Sequence, residues 1–214
     1  MSNVDERPSE RLTGFRRVFS IPAAYQWAQN LIGAERFRRT LIDEILGVRP
    51  GERILDIGCG TADIVEHLPE VDYVGFDHSD DYVQAARDRV GGRARFITGR
   101  ADSAELSDLS ERSLAMAIGV LHHLGDDQVG EALELAARVL GPTGRFVSID
   151  PTFAPDQHPI GRWLASRDRG QHVRTPDATA ALVATVFPSP VVTVRHDLLR
   201  VPYSHVICQA TVAD

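Results

Sequence analysis

The residues best suited to chemistry lie in Ile54-Leu55-Asp56-Ile57-Gly58-Cys59-Gly60-Thr61-Ala62, an apolar run that ends in two glycines. Glycines after a strand permit a tight turn and let a ligand lie against bare backbone. A helix starting there would aim its first amides at that ligand. Asp77 closes the next apolar run, 17 residues beyond Gly60. A carboxylate at the end of a neighbouring strand can accept both hydroxyls of a ribose, so the turn and the acid together imply a nucleoside-containing ligand. A dinucleotide fingerprint would need a third glycine where Asp63 stands, and that charge would oppose a pyrophosphate. A Gly-Lys-Ser/Thr phosphate loop is excluded, because the chain contains no lysine. With Asp56 and Asp63 adding negative charge near the turn, a ligand joining a ribose to a positive centre fits better.

A second constellation is His122-His123. Imidazole suits a general base near neutral pH, and either histidine could deprotonate a hydroxyl acceptor, with His158 and His172 as further candidates. His122 reads as the one facing a cleft, although spacing does not separate the two. Metal binding is disfavoured: adjacent helical side chains diverge by about 100°, and Gly125 interrupts the turn leading to Asp126 and Asp127. Cys59 reads as a packing residue, with no base paired to it. Cys59 and Cys208 lack the spacing of a disulfide framework or a zinc site. Arg167-Asp168-Arg169 reads equally as a solvated ion-paired turn or a substrate contact.

These groups need a scaffold, and 214 residues with 43% hydrophobic and 25% charged content supply one globular domain with an ordinary core. The net charge of −7 disfavours nucleic acid and anionic membranes as partners. No run approaches the roughly 20 apolar residues of a membrane helix, and the first residues lack the apolar stretch of a signal peptide. A cytoplasmic protein is expected. Residues 1–22 read as a loose lead-in, and 23–214 as the domain. Apolar residues recur at helical spacing from Ala23 to Leu46, with Tyr25 and Trp27 at its start, until Pro50-Gly51. Strands are expected at Arg53–Ile57, Tyr73–Phe76, Ala94–Thr98, Leu114–Ile118 and Arg145–Ile149. Amphipathic segments near Ala62–Leu68, Asp80–Val90, Ala104–Leu109 and Gln128–Leu140 separate them, which argues for a parallel doubly wound sheet. Asp150–Pro176 reads as an irregular connection covering the substrate side. A helix near Asp177–Phe187 precedes Val191–Val194 and Ser204–Val212, which could pair antiparallel at the sheet edge.

The segments ILDIGCGTAD, VGFDHSDDYVQAAR, FITGRADSAEL and AIGVLHHL, in that order, resemble the motifs of the class I S-adenosylmethionine-dependent methyltransferases, particularly the small-molecule type. The resemblance implies a Rossmann-like α/β fold, a mostly parallel seven-stranded sheet with an antiparallel last strand, and S-adenosyl-L-methionine as cofactor. It implies that the Gly58-Cys59-Gly60 backbone approaches the methionine portion, with Asp56 holding the turn or the amino group. It puts Asp77 on the ribose, His78 along the adenine face, Asp102 and the Ser103 amide at the adenine edge, and Gly119 near the sulfonium. Tyr25 would line the site from the early helix. The chain departs from the pattern in having Ala62 for a frequent third glycine and no acid where strand four begins. Methyl transfer to a small molecule is the function so implied, with His122 or His123 as a candidate base. A nicotinamide-dependent oxidoreductase and a non-catalytic cofactor-binding regulatory module are the alternatives. A polar nucleic-acid motif is missing at Ile118-Gly119-Val120-Leu121.

Overall fold

The computed structural model describes residues 34–101, 106, 109, 111–167 and 170–212. Residues 1–33, with Tyr25 and Trp27, and most of the expected segment near Ala104–Leu109 lie outside that set. Helix α1, Ala34–Arg39, runs into a π-helical stretch, Thr40–Leu46, that stops at Gly47 with φ +57°. Leu41, Ile42, Ile45 and Leu46 bury its inner stripe. Strand β1, Arg53–Ile57, is buried at every position after the first, the pattern of a parallel strand covered on both faces. Then follow β2 (Asp72–Asp77), α2 (Asp80–Val90), β3 (Arg95–Thr98), β4 (Arg112–Ile118) and α3 (Asp126–Val139). Strand β5 (Leu140–Pro151), α4 (Pro159–Ala165), α5 (Pro176–Val183), β6 (Val191–Arg195) and β7 (His205–Thr211) complete the chain.

The sheet is ordered β3-β2-β1-β4-β5-β7-β6. The pairs from β3 through β5 are parallel, and β7 runs antiparallel to both β5 and β6. This is the expected doubly wound α/β fold. The order reverses between β1 and β4, so the crevice for a ligand lies beyond the carboxyl ends of those strands. One face of the sheet packs with α3 and α5, including the Phe146–Phe187 stack at 5.3 Å, and the other with α1 and α2.

Local differences from the sequence expectation have simple causes. The final two strands do pair antiparallel, but β7 takes the interior place. Its His-Val-Ile-Cys start is buried, whereas β6 is half exposed and suits the edge. The segment after the glycine turn is a short 3-10 stretch, Asp63–His67, entered through Ala62 at φ +53°, and not an α-helix. The connection after β5 is not wholly irregular, since Pro159 starts α4 and Gly161 lets that helix sit on the Pro202 carbonyl. Thr152 and Arg174 then bridge the two ends of the connection.

Gly58 couples the β1 turn to the β4 turn. Its φ is +68°, and a Cβ there would fall 2.7 Å from a Val120 methyl. Left-handed backbone costs roughly 1–2 kcal/mol and overpacking about 1–3 kcal/mol. Gly58→Ala is therefore expected to lower stability by at least ~2 kcal/mol. A urea midpoint unchanged from wild type would contradict this.

Candidate active site

The crevice is built on a folded-back turn. The Gly58 and Cys59 amides both donate to the Phe76 carbonyl, at 2.9 and 3.0 Å, and the Ala62 amide donates to the Cys59 carbonyl at 2.9 Å. The Gly60 amide donates to Asp77 Oδ2 at 3.0 Å, and the Ser79 amide to Asp77 Oδ1 at 2.9 Å. Asp77 is buried and ties the end of β2 to the turn after β1. The Gly58, Cys59, Gly60 and Ala62 amides of the turn are thus committed inside the protein. What the turn offers outward is bare space, since a Cβ at Gly60 or Gly119 would meet nothing within 4 Å. Gly119, at φ +68°, donates its amide to the Ile149 carbonyl at 2.7 Å. His78 is exposed beside Asp77, 3.3 Å from Oδ1.

The charge at the turn also differs from expectation. Asp63 is neutralised by Arg89 and accepts from the Thr61 hydroxyl at 2.8 Å, so it adds no free charge. Asp56 is buried, and the Tyr73 hydroxyl donates to its Oδ2. Burial drives its pKa up to about 7 against the lowering effect of the Tyr73 bond, and Asp77 pushes it further up. Burial, followed by Asp56 and Asp77, also pushes the Cys59 thiol well above its usual range, and the thiol donates to the Gly60 carbonyl. Gly75 leaves it room: a Cβ there would come within 2.8 Å of Cys59 Sγ.

Beyond β4 the two histidines diverge. His122 is buried, and both its backbone amide and its Nδ1 meet Asp150 Oδ1, at 3.1 and 2.7 Å. Because the same oxygen accepts the amide proton, Nδ1 is the donor in the ring contact, which leaves the lone pair on Nε2. Burial raises the Asp150 pKa while the His122 contacts lower it. His123 is exposed, its ring 4.0 Å from that of His122. A cavity of about 10 Å³, lined among others by His122, Asp150, His172 and Arg174, has the size of one water molecule. His172 donates its amide to the His122 carbonyl at 2.9 Å. Arg174 donates to the Leu121 and Leu124 carbonyls at 2.6 and 2.7 Å, and to Asp126. A Cβ at Gly170 would fall 2.0 Å from His122 Cδ2, so the returning connection lies directly on that ring.

The structure thus brings Asp56, Gly58, Cys59, Gly60, Asp77, His78 and Gly119 to one crevice, with His122 at the end of the adjacent strand. Tyr25, Asp102, Ser103, Asp168 and Arg169 lie outside the described residues. Sequence reasoning missed Tyr73, Val120, Asp150 and Arg174. Asp150 left a signal, an acid ending an apolar strand as Asp77 does. The other three left none, because they act on residues 17 to 62 positions away.

Residues 54–144 match the family model described as a methyltransferase domain. The ubiquinone/menaquinone biosynthesis C-methyltransferase UbiE of Ectopseudomonas mendocina is 28% identical over 159 residues, 68% of this chain and 61% of that one. The cyclopropane-fatty-acyl-phospholipid synthase of Escherichia coli K12 is 29% identical over 128 residues, 58% of this chain and 33% of that one. In fold, a TehB-like S-adenosylmethionine-dependent methyltransferase from Corynebacterium glutamicum superposes with a TM-score of 0.57 at 20% identity, covering 92% of this chain and 99% of that one. Over residues 54–144, less than half of the chain, the sequence is similar to a methyltransferase domain, and the fold is that of the TehB-like neighbour. The chain spans about three fifths of the length of the UbiE relative.

Asp56 gives the site a pH signature. A buried acid with a raised pKa favours folding when protonated, so its contribution is full below about pH 4 and is lost as pH rises through about 7. Integrated from pH 5 to pH 8, the loss is about 2–3 kcal/mol. Asp56→Asn is expected to gain on wild type by that margin over this range. Parallel pH profiles of unfolding free energy for the two proteins would contradict it.

Proposed function

We propose that this protein transfers a methyl group from S-adenosyl-L-methionine to a small-molecule acceptor, with His122 as the general base. The observation that carries the reading is the crevice turn: its Gly58, Cys59, Gly60 and Ala62 amides are bonded inside the protein, Gly60 leaves open backbone, and a buried carboxylate stands beside it. A pyrophosphate needs amide donors and finds none in those four positions, which disfavours a nicotinamide dinucleotide. A cationic ligand with a ribose meets open backbone and carboxyl oxygens. The residues therefore fit the cofactor.

When bound, S-adenosylmethionine supplies an electrophilic methyl carbon on a sulfonium. The Gly58-Cys59-Gly60 backbone holds the methionine portion, and Asp56, braced by Tyr73, supports that turn. Asp77 accepts the ribose hydroxyls with the lone pairs left after Gly60 and Ser79. By the family resemblance, His78, Asp102, the Ser103 amide and Tyr25 would hold the adenosine part of the cofactor, and Gly119 would adjoin its sulfonium. Because the donor carries its own activation, alignment of acceptor and methyl is the larger catalytic term, worth up to ~7–11 kcal/mol for well-oriented reactants. For an acceptor with a hydroxyl, His122 removes the proton at Nε2, and Asp150 holds the ring and stabilises the imidazolium. The 150–176 connection, which rests on His122, covers the acceptor.

Asp77→Asn should weaken S-adenosylhomocysteine binding about 10- to 100-fold by calorimetry, the worth of charge-assisted hydrogen bonds, with an unchanged circular dichroism spectrum. Wild-type affinity in that variant would remove the ribose role. With labelled donor and a metabolite extract, His122→Ala should lower methyl incorporation by about 10²–10⁴-fold, and His123→Ala by far less. Equal activities in the two variants would leave the base unassigned to His122.

A further inference from the structure

His122 and Asp150 stand on two pieces of chain that are weakly held by their own bonds. His122 belongs to a 3-10 turn of three residues, Leu121–His123, closed by the His123 amide on the Val120 carbonyl at 2.9 Å and the Leu124 amide on the Leu121 carbonyl at 3.2 Å. So short a turn has little cooperative stiffness. Asp150 lies near the end of β5, past the point where β4 stops. The last β4–β5 pair is Ile118 with Ile149, so from Asp150 onward β5 has a strand only on its β7 side. The 2.7 Å contact between His122 Nδ1 and Asp150 Oδ1 therefore needs something outside both pieces to fix their separation.

Arg174 grips both. Its carbonyl accepts the Thr152 hydroxyl at 2.8 Å and the Phe153 amide at 3.3 Å, in a parallel bridge two residues beyond Asp150. Its guanidinium, on a side chain 13% exposed, reaches the turn. Nη1 donates to the Leu121 carbonyl at 2.6 Å and to the His172 carbonyl at 3.4 Å, and Nη2 donates to the Leu124 carbonyl at 2.7 Å. Nη2 and Nε also share Asp126 Oδ1, at 2.6 and 3.1 Å. These bonds use every N–H of a guanidinium. His172, held in this way, donates its amide to the His122 carbonyl at 2.9 Å. The geometry points to Arg174 as the positioning residue of the Asp150–His122 pair: it sets the contact that keeps a proton on Nδ1 and leaves Nε2 to accept one from an acceptor hydroxyl. The inference rests on the reading of His122 as the base and says what controls it. Lysine cannot stand in, because three donors on one nitrogen do not span acceptors spread along the turn. Asp126, whose side chain is 76% exposed, is the expendable partner, since an ion pair in water contributes little.

The test reads the tautomer of His122 by nitrogen NMR on the full chain with labelled histidine rings, at a pH where the ring is neutral. In water histidine favours the proton on Nε2, so an Nδ1–H ring marks the Asp150 contact. Wild type should show the Nδ1–H form, with the His122 signals assigned by their loss in His122→Ala. Arg174→Ala and Arg174→Lys should both give a mixture of tautomers and lower methyl incorporation into a metabolite extract about 10- to 100-fold, the effect of a base held slightly out of place. S-adenosylhomocysteine affinity should stay within about twofold. Ethylguanidinium should restore the Nδ1–H form in Arg174→Ala, and Asp126→Asn should keep it throughout. A wild-type His122 spectrum in both Arg174 variants would overturn the positioning role. So would a changed spectrum with a matching loss of cofactor affinity, which marks general loosening. If the alanine variant does not fold, Arg174→Lys decides between these outcomes. Full methyl incorporation in His122→Ala would instead overturn the base reading, and the ring spectrum still decides whether Arg174 sets the pair.

Discussion

The site depends on one carboxylate. Asp77 receives the Gly60 amide on one oxygen and the Ser79 amide on the other, and so fastens the turn after β1 to the turn after β2. The β1–β2 register delivers it there, pairing Ile57 with Phe76 one step before both turns. With Gly58 and Cys59 also bonded to the Phe76 carbonyl, the amides of Gly58, Cys59, Gly60 and Ala62 are all spent inside the protein, and the open glycine backbone faces the crevice. A single bond pattern therefore shapes the cradle and sets its electrostatic preference.

Two further buried acids show how location divides the labour of like groups. Asp56 is held by the Tyr73 hydroxyl, and burial carries its pKa to about 7. Asp150 meets an imidazole and a backbone amide through one oxygen, while its other oxygen has no hydrogen-bond partner among the described residues. The first is a brace whose protonation is tied to folding. The second fixes the orientation of the His122 ring.

The family resemblance and the substrate question separate for the same reason that fold and chemistry do. The matched segment, 54–144, holds strands β1, β2 and β4, whose ends form the crevice. Asp150 near the end of β5, Gln157 and Arg174 on the connection that follows, and His205 on β7 all lie outside it. Those are the elements that vary when one scaffold serves many acceptors.

The sequence by itself determined the doubly wound sheet, the glycine turn, and Asp77 at the end of β2, because apolar runs, glycines and strand-end acids are local features that read in order along the chain. Arg53–Ile57 and Asp80–Val90 were legible to the residue. Tertiary structure alone decided that Tyr73 braces Asp56, that Arg89 silences Asp63, that Val120 wedges against Gly58, and that Asp150 claims His122 instead of His123. Each of those depends on which side chains the strand register and the crossovers bring within 3 Å or so. Burial, which sets the charge of Asp56 and His205, is likewise a property of the packed sheet and not of any stretch of sequence.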